Sequence, residues 1–274
     1  MADTAELSLC EVMMSRTERV YHRIVVWLVF TILALPLLVT LLYALATQWG
    51  ATILPSGFTL QWMKNLWSDP RFLVALGHSL LICFGALAFS LVLMLPAMFV
   101  IAYYFPRLEA VMNILILLPF AIPPVVSSVG LLQLYSAPPL MLTGTPWILI
   151  GCYFTIALPF IYRAIANNMQ AINLKELIDA AHLLGASTGQ AALLVVLPNL
   201  RKGASIAVLL SFSFLIGEFV FANLLTGTSY ETLQVYLYNM RSGSGHFTSA
   251  LVISYFLVVL VVTWLANTLN RKRG

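Results

Sequence analysis

Few residues in this chain have the type and setting to do chemistry. Glu218, in Ile216-Gly-Glu-Phe219, is the one carboxylate well inside a long apolar run. Taking a charged side chain to the middle of a bilayer costs about 3 kcal/mol or more, so such a residue faces a partner or a wet path. Three roles are open to it: lining a path or pairing between subunits, structural hydrogen bonding, and proton relay. Gly185-Ala-Ser-Thr-Gly189 has the spacing of a nucleophile elbow. That motif needs a strand before the serine and a catalytic triad. Here a helical pattern precedes it, so no catalysis is expected. The same two glycines lie outside any apolar span, so a Gly-x-x-x-Gly helix contact is not expected either. His78, His182 and His246 have no second ligand one helical turn away, which predicts structural roles rather than metal binding. Cys10, Cys83 and Cys152 form no disulfide or metal pattern. A P-loop needs Gly-Lys before Ser or Thr. Lys64, Lys175, Lys202 and Lys272 follow Met63, Leu174, Arg201 and Arg271, so nucleotide chemistry is not expected on this chain.

The elements that must position these residues are set by an apolar composition. Of 274 residues, 61% are hydrophobic and 9% charged, and the mean hydropathy is +0.95. Soluble domains run near 45–50% apolar and about 25% charged. Disorder, coiled coil, collagen and an ordinary soluble enzyme are thereby excluded. A membrane-crossing helix needs about 20 apolar residues. Six runs qualify: Ile24–Leu45, Ser79–Ala102, Val111–Leu134, Trp147–Ala166, Ala204–Leu225 and Ser249–Leu269. Each is predicted helical, because unpaired backbone groups are too costly in lipid. The alternating segments of an outer-membrane barrel are missing. The first run is over twenty residues long and lacks a small-residue cleavage site, so it is not read as a signal peptide. The expected fold is an all-α membrane protein with a tail over 1–23, a transmembrane domain over 24–269 and a second tail over 270–274.

Basic residues predict orientation. Arg16, Arg19, Arg23, Arg107, Arg163, Lys175, Arg201, Lys202, Arg271, Lys272 and Arg273 fall on one side; Lys64, Arg71 and Arg241 fall on the other. The positive-inside rule then places both termini in the cytoplasm. The net charge of +4 and pI of about 9.0 therefore read as topology. The terminal clusters read as inner-leaflet lipid anchors, with no nucleic-acid partner expected. Trp49, Trp62, Trp67 and Trp147 gather toward the outer side, as an aromatic belt would. Pro36, Pro96, Pro119, Pro123, Pro124 and Pro159 fall in or near the spans. They are packing kinks or bends in helices that line a path; Pro119 with Pro123-Pro124 is the best candidate for a broken segment.

One inside loop, about 167–203, is too long for a simple connection. In it Leu174, Leu177, Ile178, Ala181 and Leu184 recur at i, i+3, i+4, i+7 and i+10, one helical face. Lys175, Glu176, Asp179 and His182 face elsewhere. Asn173 is placed to cap the start with Glu176 three residues on. Gly185 sits where a left-handed residue ends a helix. The stretch reads as a short amphipathic helix, a sharp turn, a second apolar stretch and a stop at Leu197-Pro198. It is a surface helix under the membrane or a docking element for a cytoplasmic partner.

Asp179-Ala180-Ala181, three residues, Gly185, nine residues, Val195, one residue, Leu197-Pro198 resembles the EAA loop of bacterial ABC importer permeases, Glu-Ala-Ala-x3-Gly-x9-Ile-x-Leu-Pro. The spacing is kept in full; Asp replaces Glu and Val replaces Ile. The wider resemblance covers roughly 70–269. It implies the six-helix type I importer permease fold, in a bacterial inner membrane. It also implies that Asp179, Ala180, Ala181, Gly185, Leu197 and Pro198 couple the chain to a dimer of ATP-binding subunits, which would hold the ATP and magnesium, leaving no cofactor here. A second permease chain, most simply a different one, and a periplasmic solute-binding protein are the other partners implied. Related permeases often carry a similar Gly-Glu-Phe at Glu218.

Two stretches narrow the resemblance. Leu54-Pro-Ser-Gly-Phe-Thr-Leu60 and Gly217 to Asn239 look like the subgroup importing polyamines, ferric iron and phosphonates, most of all a membrane subunit of a 2-aminoethylphosphonate importer. Two other classes fit the residues less well. An intramembrane enzyme needs paired catalytic groups, and Glu218 has no evident partner in the sequence. A passive channel has no use for the EAA loop.

Overall fold

A computed structural model describes residues 16–271, without side-chain detail at the two ends. Cys10, Lys272 and Arg273 lie outside the described residues. The elements are α1 (Arg16–Leu45), α2 (Gln61–Trp67), α3 (Pro70–Tyr104), α4 (Glu109–Leu115), α5 (Leu118–Ala121), α6 (Pro124–Tyr135), α7 (Pro146–Ala171), α8 (Leu174–Leu183), α9 (Thr188–Asn199), α10 (Arg201–Leu215), α11 (Leu233–Asn239) and α12 (Gly245–Arg271). Four helices, α1, α3, α7 and α12, are long and apolar enough to cross a membrane, and two bent pairs raise the number to as many as six. Among the described residues the only extended pairing is an isolated bridge between Ala46 and Phe58.

α7 is the centre of the bundle, with α3 and α10 packed on it. Ile82, Ala86, Leu149, Ala157, Ile161, Ile165, Ala207 and Phe212 are fully buried there. Small residues let these helices approach closely, as membrane helices require when lipid supplies no hydrophobic drive. Gly203 of α10 is the tightest such point: a Cβ there would come within 2.6 Å of Asn168 Cβ on α7. α1 packs only at the periphery, against α12 and α2. Its outward residues, among them Trp27 and Leu33, are exposed in a way that only lipid makes favourable.

The spans differ from the sequence expectation where backbone chemistry interrupts an apolar run. The second and fourth helices are longer than expected: α3 starts at Pro70 rather than Ser79, and α7 runs to Ala171. Asp69 explains the early start of α3. Its Oδ1 accepts from the Arg71 N–H at 2.9 Å, with Pro70 pre-set at the first helical position. The third span is broken, as the proline pattern predicted. Pro106–Ala121 and Pro124–Tyr135 meet at 88°. Ile122 and Pro123, each preceding a proline, are extended at ψ 118° and 135°, because a following proline ring crowds the helical conformation.

The fifth span departs most. It was expected over Ala204–Leu225, but α10 ends at Leu215 and the chain turns at Ile216-Gly217. A separate wide helical turn, Ala222–Thr226, follows and stops at Gly227, whose φ is +50°. Nor does Pro198 stop the helix before it. α9 runs through Pro198 to Asn199, by way of a widened π-helical stretch over Ala191–Val196, and then bends 61° into α10. Proline has no N–H for the preceding turn, and a widened turn ahead of it accommodates that loss.

Candidate functional site

The long loop folds as a helix-turn-helix beneath the bundle. Leu174, Ile178 and Ala181 are buried, and Lys175, Glu176, Asp179, Ala180 and His182 are exposed. α8 rests its apolar face on the Ala191–Val196 stretch of α9. Asn173 does not cap the helix as expected. It holds a left-handed conformation, φ +48° and ψ 62°, and its side chain makes no cap bond. The capping box lies one helix later. The Ser187 N–H donates to Gln190 Oε1 at 2.8 Å, and the Gln190 N–H donates to Ser187 Oγ at 3.4 Å. The serine of the elbow-like spacing is thus a helix cap.

Gly185 ends α8 as its position predicted, at φ +86°. The Gly185 N–H donates to the His182 carbonyl at 2.9 Å, and the Ala186 N–H to the Ala181 carbonyl at 3.0 Å, the paired bonds of a Schellman motif. The turn leaves Leu183 and Leu184 each 89% exposed. Leu184 was expected on the buried face; the helix stops at Leu183, so the turn carries Leu184 outward instead. Asp179 and Ala180 are exposed on α8 as well. Leu197 is exposed and Pro198 half-buried on α9.

Glu218 lies in the break after α10. Its Oε1 accepts from the Phe221 N–H at 2.9 Å and its Oε2 from the Ala222 N–H at 3.2 Å. The carboxylate thereby caps the turn that follows, satisfying donors that an interrupted helix would leave unpaired. The Tyr153 hydroxyl donates to the Glu218 carbonyl at 3.4 Å. Glu218 also borders a cavity of about 780 Å³, between the broken third span, α7 and the end of α10. Pro119, Phe120, Pro124 and Ser127 line it from the break, and Glu218 is its one charged lining residue. Of the three roles open to Glu218, structural hydrogen bonding is the one this geometry shows, and the same carboxylate stands at the edge of the cavity.

A polar network on the opposite face from α8 escaped the sequence reading. Arg71, at the start of α3, pairs with Glu231, whose Oε1 also accepts from Asn239 Nδ2 at 2.7 Å. The Tyr236 hydroxyl donates to Asp69 Oδ2 at 2.6 Å. Burial first, then this bond, raises the Tyr236 phenol above its usual range and keeps it a donor. His78 Nδ1 lies 3.0 Å from the Glu231 carbonyl oxygen, its ring stacked on Tyr230 at 3.8 Å. His246 Nδ1 lies 2.8 Å from the Tyr43 carbonyl oxygen. His182 Nε2 lies 3.3 Å from Thr188 Oγ1. The residues of the network come from segments over 150 positions apart, and no local spacing announces them.

The same arrangement of helices occurs in a solved structure, described as a bacterial ABC transporter involved in the import of the acidic polysaccharide alginate. The TM-score is 0.71 at 13% identity, covering 93% of this chain and 98% of that one. The bundle therefore has a type I ABC importer permease fold. Residues 94–274 match the family described as binding-protein-dependent transport system inner membrane component, and this chain belongs to that family. It is similar to the Salmonella typhimurium PhnV permease protein, which is provisionally assigned to 2-aminoethylphosphonate transport, at 30% identity over 87% of this chain and 91% of the relative. It is also similar to the Escherichia coli spermidine/putrescine transport system permease protein PotC, at 27% identity over 79% and 81%. The chain is a permease subunit of an ABC importer and not an enzyme; the ATPase is a separate subunit, and a substrate-binding component completes the system.

Proposed function

We propose that this chain moves 2-aminoethylphosphonate across a bacterial inner membrane, through the cavity beside Glu218. The observation that carries the reading is the likeness to the PhnV permease protein over most of both chains. The cavity supports it: its single charge is a carboxylate, which complements the ammonium end of that cargo. The test is growth on 2-aminoethylphosphonate as sole phosphorus source after deletion of this chain, in a strain without another importer. Loss of growth, restored by the gene, is expected; unimpaired uptake overturns the cargo. The likeness to PotC favours a second reading, polyamine import, since polyamines carry the same ammonium chemistry. Loss of spermidine uptake with phosphonate uptake intact selects it.

In the same reading α8 faces the cytoplasm with both termini. Asp179, Ala180, Ala181, Gly185, Leu197 and Pro198 form or shape the surface that a dimer of ATP-binding subunits engages. An amphipathic helix with an exposed leucine pair at its tip suits a groove in such a partner. ATP and magnesium reside on that partner, and this chain needs no cofactor. A different permease chain completes the path, and a periplasmic solute-binding protein delivers cargo to the face bearing Arg71 and Glu231.

A further inference from the structure

The segment between α1 and α2 carries no charged side chain from Ala46 to Met63. It folds as a small hairpin. The Thr47 N–H donates to the Gly57 carbonyl at 2.9 Å, the Ser56 N–H to the Gln48 carbonyl at 3.1 Å, and the Thr59 N–H to the Leu45 carbonyl at 2.7 Å. Two of its polar side chains bond within the hairpin: Thr47 Oγ1 lies 3.2 Å from Ser56 Oγ, which itself donates to the Gln48 carbonyl at 3.0 Å. Thr47, Gln48, Thr52 and Ser56 are exposed, but the most exposed part of the hairpin is its apolar tip. Ile53 is 93% exposed and Leu54 75%, with Phe58 and Leu60 close behind. A loop built only for water does not gather large apolar side chains of this exposure at its tip.

An aromatic cluster also holds the hairpin against the ends of α1 and α12. Tyr43, in the last turn of α1, stacks on His246 at the start of α12 at 4.2 Å, and Trp62 also stacks on that imidazole at 5.6 Å. Trp62 Nε1 donates to the Ala46 carbonyl at 2.9 Å. Tyr and Trp gather where the hydrocarbon ends. Trp49 joins this group, its ring 5.9 Å from that of Tyr43, and its Nε1 donates to the Thr52 carbonyl at 2.9 Å. The tip beside Thr52 is thus drawn back to the level of the α1 terminus. From Ile24 to Leu42 the residues exposed on α1 are apolar except Thr31, whose hydroxyl bonds back to the Trp27 carbonyl, and the hairpin follows from the end of that surface.

We propose that the Ala46–Leu60 hairpin is an interfacial membrane anchor, with Ile53 and Leu54 inserted into the leaflet on the face opposite α8. Lipid is the occupant that these features fit. Backbone bonds close the base of the hairpin, and at its tip the Thr52 and Leu54 carbonyls accept from Trp49 Nε1 and Thr52 Oγ1, which suits the edge of the hydrocarbon, where water still reaches the remaining backbone groups, rather than its interior. It offers no charge for a protein partner or an anionic headgroup to pair with, and it extends a surface that already faces lipid. The anchor fixes the depth at which α1 ends and the α2 platform begins. It depends neither on the cargo nor on which face is cytoplasmic.

The test is site-directed spin labelling of the full chain with its co-purifying subunits, in nanodiscs of phosphatidylethanolamine and phosphatidylglycerol. Cys10→Ser removes the one thiol that falls outside the described residues, Cys83 and Cys152 being buried. Ile53→Cys and Leu54→Cys are labelled, with Leu28→Cys on the exposed side of α1 as the lipid reference and Ser242→Cys as the water reference. Both positions are exposed, so labelling leaves the fold in place. Collision with oxygen several-fold above collision with a nickel chelate at positions 53 and 54, as at Leu28, is the expected result. Preference for the chelate, as at Ser242, places the tip in water and overturns the proposal. Protection from both reagents means that another protein chain covers the hairpin, and overturns it equally.

Discussion

The Arg71 guanidinium grips the Glu231 carboxylate at two points, Nε to Oε2 and Nη2 to Oε1, both 2.7 Å, across 160 residues of chain. A two-point fork fixes orientation as well as distance. It ties the segment after the Glu218 break to the start of α3, the helix that packs on α7. Glu231 is the more enclosed partner, its side chain 11% exposed against 48% for Arg71. Removing Arg71 therefore leaves an enclosed carboxylate with Asn239 as its remaining side-chain donor.

Arg71→Ala is accordingly expected to destabilise the folded chain by about 1–3 kcal/mol, the range for stranding an enclosed polar group. The half-exposed guanidinium and its screening favour the lower end. Arg71→Lys recovers only part, because an ammonium cannot reproduce the fork. Thermal unfolding of the detergent-purified chain, followed by tryptophan fluorescence, reads the order wild type, Lys, Ala. An Ala variant as stable as wild type removes the pair from the stabilising contacts.

Glu218 makes separable demands. Glu218→Ala removes the acceptor for both the Phe221 and Ala222 N–H groups and is expected to lower stability by about 1–3 kcal/mol. Glu218→Gln keeps one acceptor oxygen and the side-chain volume while deleting the charge on the cavity. It is expected to impair uptake several-fold with subunit assembly unchanged. Equal uptake at matched membrane levels would leave Glu218 as a cap and nothing more.

The two halves of this site were unequally legible in the sequence, for a physical reason. Pro123 and Pro124 act on their immediate neighbours, so the break in the third span can be read from adjacent residues. Gly185 is similar: a left-handed turn is a demand on one backbone position. The break at Gly217-Glu218 hides because apolar residues continue through Phe219 to Leu225, and hydropathy does not register a carboxylate that satisfies its own helix start. Asn173 misled for the converse reason: a residue type good at capping is also one that tolerates the left-handed region it occupies. Arg71 and Glu231 could not be paired at all before the fold brought α3 against the segment preceding α11.

Gly203 is expected to be the least tolerant glycine of the bundle. An added Cβ meets Asn168 Cβ at 2.6 Å, Asn168 Cγ at 2.9 Å and the Ala164 carbonyl oxygen at 3.1 Å. Two of these belong to side-chain atoms near the backbone and one to the backbone itself, so α7 and α10 must separate. Gly203→Ala should cost about 1–3 kcal/mol by overpacking. Gly189→Ala, where nothing lies within 4 Å of the new Cβ, should be close to neutral. Parallel melting curves of the two variants decide the matter; equal stability would show that the helix pair yields without cost.

Gly185 isolates backbone conformation from contact. No atom lies within 4 Å of a Cβ placed there, yet its φ of +86° belongs to a region L-residues avoid. Gly185→Ala should therefore weaken the α8 turn by about 1–2 kcal/mol through conformation alone, reorienting Leu183 and Leu184 without touching the bundle. The combined variant Gly185→Trp with Asp179→Lys adds bulk and reverses charge on the surface proposed to meet the ATPase. Its expected effect is loss of ATPase subunit binding in a pull-down, while the melting temperature of the bundle falls far less than for Arg71→Ala. Wild-type binding by the combined variant refutes the coupling role of this loop, and a collapse of the bundle instead would show that α8 is an integral part of the fold rather than a surface offered to a partner.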